Sequence, residues 1–506
     1  MNRIHLTNLL AFVSCFGSTM LLPQASHANT QVMNLSAMDI KVGIQQWGEP
    51  QAHTSDAPSA STLKFNTAVT TNADSRLTIK LFKGTKTLTG RVALDSRASP
   101  EAAALFSIWA GRVRLWASPL MQRDDPPIPF TLNLSKYGEI TLKVDRQAGT
   151  AFKCPCDWLD TQFSYTGHEP LTVDKPSRWK NDFVPGAVWR DDKGAPIQAH
   201  GGGLLKVGST WYWVGEDKSK GYNNFVGVHE YSSRDLVHWH DEGVVLPAGS
   251  LPSEFRSTGV CERPKIVYNR LTKLFFMWMH LDAHRYSVAE AGLAIAPKPN
   301  GPYRYVAAIR PVNNSTFRDM NVFVDRDGAA YLIYAAENNA TLYVVRLDRS
   351  YGAPRRPEVE GSTWAKIAPG GWHEAPAMWR YGSIYYLIAS HTSGWSPNAA
   401  SLYTAKSPLG PWVYQGNPFK GPDADYTFYT QSTCVIPAPG HPGWFIYMGD
   451  RWNPGDLGNS RYVWLPFTIT KGSEHFTIKW QSHWNLNHLG KNVNADGERT
   501  KHAMGH

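Results

Sequence analysis

Cysteine is scarce in this sequence, five residues in 506, and one of the five, Cys15, lies inside an N-terminal apolar run. The other four, Cys154, Cys156, Cys261 and Cys434, are too few for a disulfide scaffold in a chain of this length. Cys154-Pro155-Cys156 is too tight for an easy loop and lacks the further ligands of a zinc site. Cys261 and Cys434 are expected as buried free thiols. Long apolar stretches are missing as well. The run over residues 9–22 is short of the ~20 residues that cross a bilayer, so no membrane span is expected. Charged residues make up 18%, and the formal net charge of +9 is spread along the chain. With no Lys/Arg cluster, nucleic-acid binding is excluded as an expectation. His200, His280, His284, His373 and His391 show no ligand spacing, so neither a metal nor another cofactor is expected.

What is present begins with a targeting signal. Arg3 and His5 precede the apolar run, and Ser26-His27-Ala28 closes it with small residues at the −3 and −1 positions. Cleavage after Ala28 is expected, which makes residues 1–28 a signal peptide and the mature protein secreted or periplasmic. Glycine (42) and proline (34) are distributed evenly, as many short strands and turns require. Twenty Trp and 22 Tyr exceed ordinary usage, and core packing is the plain account of them.

Residues 29–175 contain short segments that largely alternate apolar and polar: Leu77-Thr78-Ile79-Lys80-Leu81, Arg91-Val92-Ala93-Leu94-Asp95, Arg112-Val113-Arg114-Leu115-Trp116 and Ile140-Thr141-Leu142-Lys143-Val144-Asp145. Turn residues separate them, so an antiparallel β-sandwich is expected. Residues 100–106, rich in alanine, are expected as a short helix between strands. Residues 176–185, bounded by Pro176 and Pro185, are expected as a linker.

Residues 186–490 repeat. Five segments each open with a polar residue and reach aromatics 11 to 13 residues later: His200…Trp211-Tyr212-Trp213, Glu262…Phe275-Phe276, Asp319…Tyr331, Glu374…Tyr385-Tyr386 and Gln431…Trp444-Phe445. They recur at about 55–65 residues, in the range of a four-stranded propeller blade. Asp327-Gly328 and Tyr381-Gly382 lie between apolar runs as hairpin turns do. A second element follows the third strands: Ser233-Arg234-Asp235…Trp239, Lys298-Pro299-Asn300-Gly301-Pro302-Tyr303 and Ser407-Pro408-Leu409-Gly410-Pro411-Trp412. The expected fold is therefore all-β, a five-bladed β-propeller preceded by a β-sandwich. Its five innermost strands bring three carboxylates, a histidine and a glutamine to one axis.

Such a set suits the hydrolysis of a glycosidic bond. One protonated carboxyl gives the leaving oxygen a proton, and in inverting enzymes a base on the opposite face activates water. Crowded carboxylates raise one another's pKa, as the acid role requires. Glu374, in His373-Glu374-Ala375-Pro376-Ala377-Met378, is the candidate acid, with Pro376 marking the strand entrance. Asp319, beside Arg318, is the candidate for a group that stays ionised and tunes the acid. Trp395 and Trp372 are candidates for stacking on a sugar face or packing between blades.

These motifs carry a resemblance. His200-Gly201-Gly202-Gly203, Gly215-Glu216-Asp217, Glu262-Arg263-Pro264-Lys265, Arg318-Asp319-Met320 and Glu337-Asn338-Asn339-Ala340-Thr341-Leu342-Tyr343 occur in order. They are followed by Glu374-Ala375-Pro376-Ala377-Met378, Thr392-Ser393-Gly394-Trp395-Ser396-Pro397-Asn398 and Arg461-Tyr462-Val463-Trp464-Leu465-Pro466. Together they resemble the exo-β-1,3-galactanase-like branch of glycoside hydrolase family 43. The resemblance implies inversion and release of single galactose units from β-1,3-galactan, the backbone of arabinogalactans, with Glu374 as general acid and Asp319 as its tuning aspartate. The wider family opens its first blade with an aspartate base, and here the Gln198-Ala199-His200 segment stands in that place, which leaves the base open. Gln431 is the implied water-holder and Glu262 its rival, also a candidate binder of sugar hydroxyls. Glu216, Tyr286, Asn338, Asn339, Trp395 and His200 complete the candidate substrate-binding set. Two alternatives remain open: an arabinofuranosidase or xylosidase of the same fold, and a non-catalytic sugar-binding propeller.

The N-terminal region resembles the NPCBM-type carbohydrate-binding sandwich through Ala93-Leu94-Asp95, Ser107-Ile108-Trp109-Ala110-Gly111…Leu115-Trp116, Thr141-Leu142-Lys143-Val144-Asp145 and Cys156-Asp157-Trp158-Leu159-Asp160. This implies binding to sugar or a cell surface, against a sandwich that only docks. The expected partner of the whole is an oligo- or polysaccharide, and the expected state a monomer.

Overall fold

The computed structural model describes residues 29–54, 64–147, 154–222, 224–256 and 260–490. The predicted signal peptide lies outside the described residues. No helix among them is long and apolar enough to cross a membrane.

Two antiparallel sheets form the N-terminal sandwich. One orders strands Ile128–Asn133, Thr85–Leu94, Pro155–Tyr165, Thr67–Asn72 and Gln51–Thr54, with Gln31–Asn34 also paired to Pro155–Tyr165. The other orders Leu171–Val173, Ser75–Lys80, Glu139–Arg146, Ala103–Ala110 and Val113–Ala117, with Ile44–Gln45 and Met121–Gln122 at its margins. Between them Trp158 meets Phe106 edge-on at 5.4 Å and Phe130 at 6.0 Å. Cys154 and Cys156 are buried here as free thiols, their sulfurs 3.7 Å apart.

The expected helix over residues 100–106 is absent. A turn occupies Ser99–Glu101, and Ala103–Ala110 is a strand with Arg146 opposite Ala104 and Val144 opposite Phe106. Alanine favours helix locally, but Ala102, Ala103 and Ala104 are buried, and the sheet satisfies their backbone while packing the strand's apolar side chains against the opposite layer.

From His200 onward the chain forms four four-stranded antiparallel meanders, opened by His200–Val207, Val260–Asn269, Met320–Val324 and His373–Tyr381, and a three-stranded one opened by Gln431–Pro437. Each opening strand touches the next, and Gln431–Pro437 touches His200–Val207, so the openings form a closed ring. The aromatic second strands fill the layers between sheets. Trp213 packs on Trp464 at 4.9 Å, joining the first sheet to the last. Phe183, just before the first sheet, stacks on Trp484 at 4.0 Å. The expected linker is therefore packed: Ser177–Trp179 is a 3-10 turn and Trp179 stacks on His483 at 4.2 Å.

Candidate active site

Four of the five opening strands carry a register shift just past their first residues: between His200 and Gly203, Glu262 and Lys265, Glu374 and Ala377, and Ser432 and Cys434. Such bulges bend a strand and re-aim its side chains. Gly201, Arg263 and Ala375 sit there at positive φ. Gly201 admits no side chain, since a Cβ would strike the Glu216 carboxylate. Pro376 thus lies within a bulge, where its missing N–H costs no ladder bond, rather than at the strand entrance.

Arg263 is the hub of the cluster and is 4% exposed. Its Nε lies 2.8 Å from Asp319 Oδ2, its Nη1 donates to Ser432 O at 2.9 Å, and its Nη2 donates to Gln431 Oε1 at 2.5 Å. Asp319 also accepts the Ala375 backbone N–H at 3.1 Å, which ties it to the bulge beside Glu374. Glu374 Oε1 accepts from Asn339 Nδ2 at 2.8 Å, and its Oε2 faces Gln431 Nε2 at 3.5 Å. Burial and then the negative charge of Asp319 push the Glu374 carboxyl up to about 8, against the pull of Arg263. It is therefore protonated at neutral pH, as a proton donor must be.

Glu262 behaves oppositely. Burial opposes its charge, but the hydrogen bond and charge of His280, then Lys218 and Tyr286, hold it down at about 2. Tyr286 donates to Glu262 Oε1 at 2.7 Å, and His280 Nδ1 lies 3.1 Å from Oε2. Two carboxyls in one cluster thus take opposite states, which is how environments assign acid and base roles. Glu262, His280 and Asp319 are close enough together to suggest a cation site. However, His280 is itself a cation: its bonds to Asp282 and Glu262 overcome burial and raise it to about 9. With Arg263 on Asp319, each of the three groups has a charged side-chain partner.

Gln431 is held from both ends. Its Oε1 accepts from Arg263 and from Trp452 Nε1 at 3.0 Å, and its Nε2 donates to Ser390 Oγ at 3.1 Å. The indole can only donate, which fixes the amide orientation. Two donors on the oxygen favour the ordinary amide over an imidic form needing a proton there, so Gln431 is built to position rather than to take up a proton.

The remaining predicted residues divide. Trp395 (40% exposed) and Trp372 (53% exposed) stand at the rim. Trp395 is 5.5 Å from Trp452 and 6.2 Å from Tyr222. Asn338 is exposed, with Arg318 Nη2 3.5 Å from its Oδ1. One expectation is corrected, and two of the residues have partners inside the protein. His200 is fully buried, stacked on Tyr462 at 5.0 Å behind Trp452, and burial holds its imidazole down at about 3. It is a neutral packing group rather than a sugar contact. Glu216, 1% exposed, accepts the Arg263 N–H at 2.9 Å and pairs with Lys218 at 2.8 Å; it fixes the bulge. Asn339 donates one amide N–H to Glu374, so it also bears on the acid. The sequence reading missed the roles of Arg263, Trp452 and Ser390. Arg263 sits inside the quoted Glu-Arg-Pro-Lys motif, a signal that was available. Trp452 follows the last aromatic strand with nothing in its local pattern to mark it.

A ring of β-sheets whose axis holds a protonated carboxyl, an ionised carboxylate, an aspartate paired with arginine and an anchored amide defines a glycosidase. The chain belongs to glycosyl hydrolases family 43, whose model matches residues 202–467, and an NPCBM/NEW2 domain matches residues 31–164. A GH43 β-1,3-galactosidase solved with galactodeoxynojirimycin is 35% identical, with a TM-score of 0.55 over 60% of this chain and 100% of that one. The exo-β-1,3-galactanase of Phanerochaete chrysosporium, solved with β-1,3-galactotriose, is 37% identical, with a TM-score of 0.55 over 60% of this chain and 68% of that one. Among curated proteins, the β-D-galactofuranosidase of Aspergillus niger is 29% identical over 224 residues, 41% of this chain and 62% of that protein's length.

Proposed function

We propose that this protein is an exported, inverting exo-β-1,3-galactanase that releases single galactose units from β-1,3-galactan. The observation that carries the reading is Glu374, held protonated on the axis by burial and by Asp319 and oriented by Asn339. The similar structures solved with galactose-type ligands favour the galactan substrate over arabinofuranosides or xylosides. The ring of five sheets is read as a five-bladed propeller over residues 186–490, the sandwich as residues 29–175, and the working state as a monomer, exported by the signal ending at Ala28.

In this mechanism Glu374 gives its proton to the glycosidic oxygen as that bond breaks. A water held by Gln431 attacks the anomeric carbon from the opposite face and gives up its proton to solvent as the new C–O bond forms, and Glu374 takes a proton back from solvent before the next turnover. Glu262, ionised and braced by Tyr286 and His280, binds sugar hydroxyls as an acceptor. Incubating the protein with β-1,3-galactotriose and following anomeric protons by NMR tests the reading. Early α-galactose is expected. Early β-galactose overturns inversion, and no release overturns the substrate.

A further inference from the structure

The sandwich reaches the catalytic axis. Residues 44–49 leave its edge strand Ile44–Gln45 and cross onto the propeller, where polar contacts fix them. Arg451 Nη1 donates to Gln45 O at 2.8 Å, and Gln45 Nε2 donates to Trp47 O at 2.8 Å. Gln46 Nε2 donates to Asp423 at 2.6 Å, and Arg146 Nη2 binds both Asp423 oxygens at 2.8 Å. Asp423 in turn accepts from Tyr429 at 2.9 Å, two residues before Gln431. The Arg146–Asp423 pair is nearly enclosed, 7% and 12% exposed, and a paired, desolvated clamp of this kind holds geometry far better than an exposed bridge.

These contacts place the Trp47 indole 6.4 Å from the Tyr429 ring, over a notch whose other walls include Gln431, Ser390, Trp452 and Trp395. The notch has about 20 Å³ of free volume, room for one water and little more, and water needs polar partners to be held in such a space. Gln431, Ser390 and Asp450 stand on its walls as polar groups. Trp47, Tyr429, Trp452 and Trp395 form its aromatic walls.

We propose that this notch is the chamber of the attacking water and that Trp47, supplied by the N-terminal sandwich, is its cap, a positioning residue for the propeller's reaction. The inference rests on the reading of Gln431 as water-holder. It makes the two domains one catalytic unit, in which the sandwich sets how many and how large the nucleophiles beside the anomeric carbon can be. Removing the cap widens the chamber, so the water loses its alignment and a larger nucleophile enters. Azide then forms the C1–N bond on the face opposite the leaving group, the C1–O bond breaks, and the leaving oxygen takes the Glu374 proton, giving α-galactosyl azide.

The test compares full-length wild type, Trp47→Ala and Trp47→Phe on β-1,3-galactotriose with and without sodium azide. If wild type does not cleave the triose, the galactan reading fails on its own, and the comparison runs on whichever aryl glycoside it does cleave (β-galactopyranoside, galactofuranoside, arabinofuranoside or xyloside). Trp47→Ala is expected to lose about tenfold in kcat with KM changed by less than about twofold, as a misplaced reactant predicts. It is also expected to form the α-glycosyl azide that wild type does not, and Trp47→Phe is expected to recover most of kcat. Asp423→Ala, which releases the clamp and frees the Tyr429 hydroxyl but leaves Trp47 itself intact, is expected to shift kcat and azide capture the same way. Unchanged kcat and no azide product in Trp47→Ala overturn the proposal. So does a loss of kcat that tracks a fall in Tm without azide capture, since that marks Trp47 as packing alone.

Discussion

Asp319 Oδ2 lies 2.8 Å from the Arg263 guanidinium and accepts the Ala375 N–H at 3.1 Å, so the charge that raises the Glu374 pKa is locked to the bulge beside Glu374. Asp319 is thereby paired with a cation and kept close by the backbone. Neither contact alone would do both.

The first consequence concerns the acid. Glu374→Gln keeps the Asn339 contact but has no proton to give, and kcat is expected to fall by about 10²–10⁴-fold with KM little changed. In wild type, catalysis needs the protonated form, so kcat/KM is expected to fall as pH rises through about 8. A pH–rate profile checks the limb, and its absence in that range would falsify the assignment.

Replacing Asp319 by Asn removes the like charge that holds the Glu374 proton. The alkaline limb is expected to move to lower pH, by about one unit or more. Binding of galactose to the variant, measured by calorimetry, separates this shift from loss of the site.

Arg263→Lys retains a positive charge but offers one ammonium in place of a fork that serves Asp319, Ser432 and Gln431 together. A loss of about 10²-fold in kcat is expected, comparable to removing a fixed donor from a reacting centre. Activity equal to wild type would show that Gln431 needs no anchor.

Glu230 makes a prediction about stability alone. It is fully buried in the first sheet, neither oxygen has a hydrogen-bond partner among the described residues, and burial followed by Glu242 raises its pKa from 4.5 to about 9. A carboxyl whose folded pKa lies above its unfolded one stabilises fully below the unfolded value, and that contribution is lost as pH rises through the folded one. Glu230→Gln, which cannot ionise, is expected to gain in Tm over wild type at pH 9 and to gain least at pH 5. Thermal melts at both values decide it.

Much of the fold was legible because alternation and turn chemistry are local. The polar-to-aromatic spacing from Glu374 to Tyr385 reports one strand, one turn and the next strand, and a hairpin fixes all three together. The helix expected over residues 100–106 failed for the opposite reason: alanine's propensity is weak and the buried strand pairing across the sheet outweighed it. Glu374, Asp319, Glu262 and Gln431 were legible as strand openings and as motif positions.

What the sequence alone determined is the set of residues delivered to the axis, since each strand opening is fixed by periodicity within its own repeat. Tertiary structure decided what those residues do. His200 opens the first strand of its sheet and Glu216 ends the second strand opposite it, yet the bulge turns them into packing and bracing, while Arg263 becomes the hub. Trp47 stands far from Gln431 in sequence and in another domain, and only the docking clamp of Arg146, Gln46 and Asp423 brings it over the notch. Charge state followed the same rule: Glu374 and Glu262 are the same residue type, and burial, like charge and neighbouring cations, all long-range in sequence, drive one to hold its proton and the other to lose it.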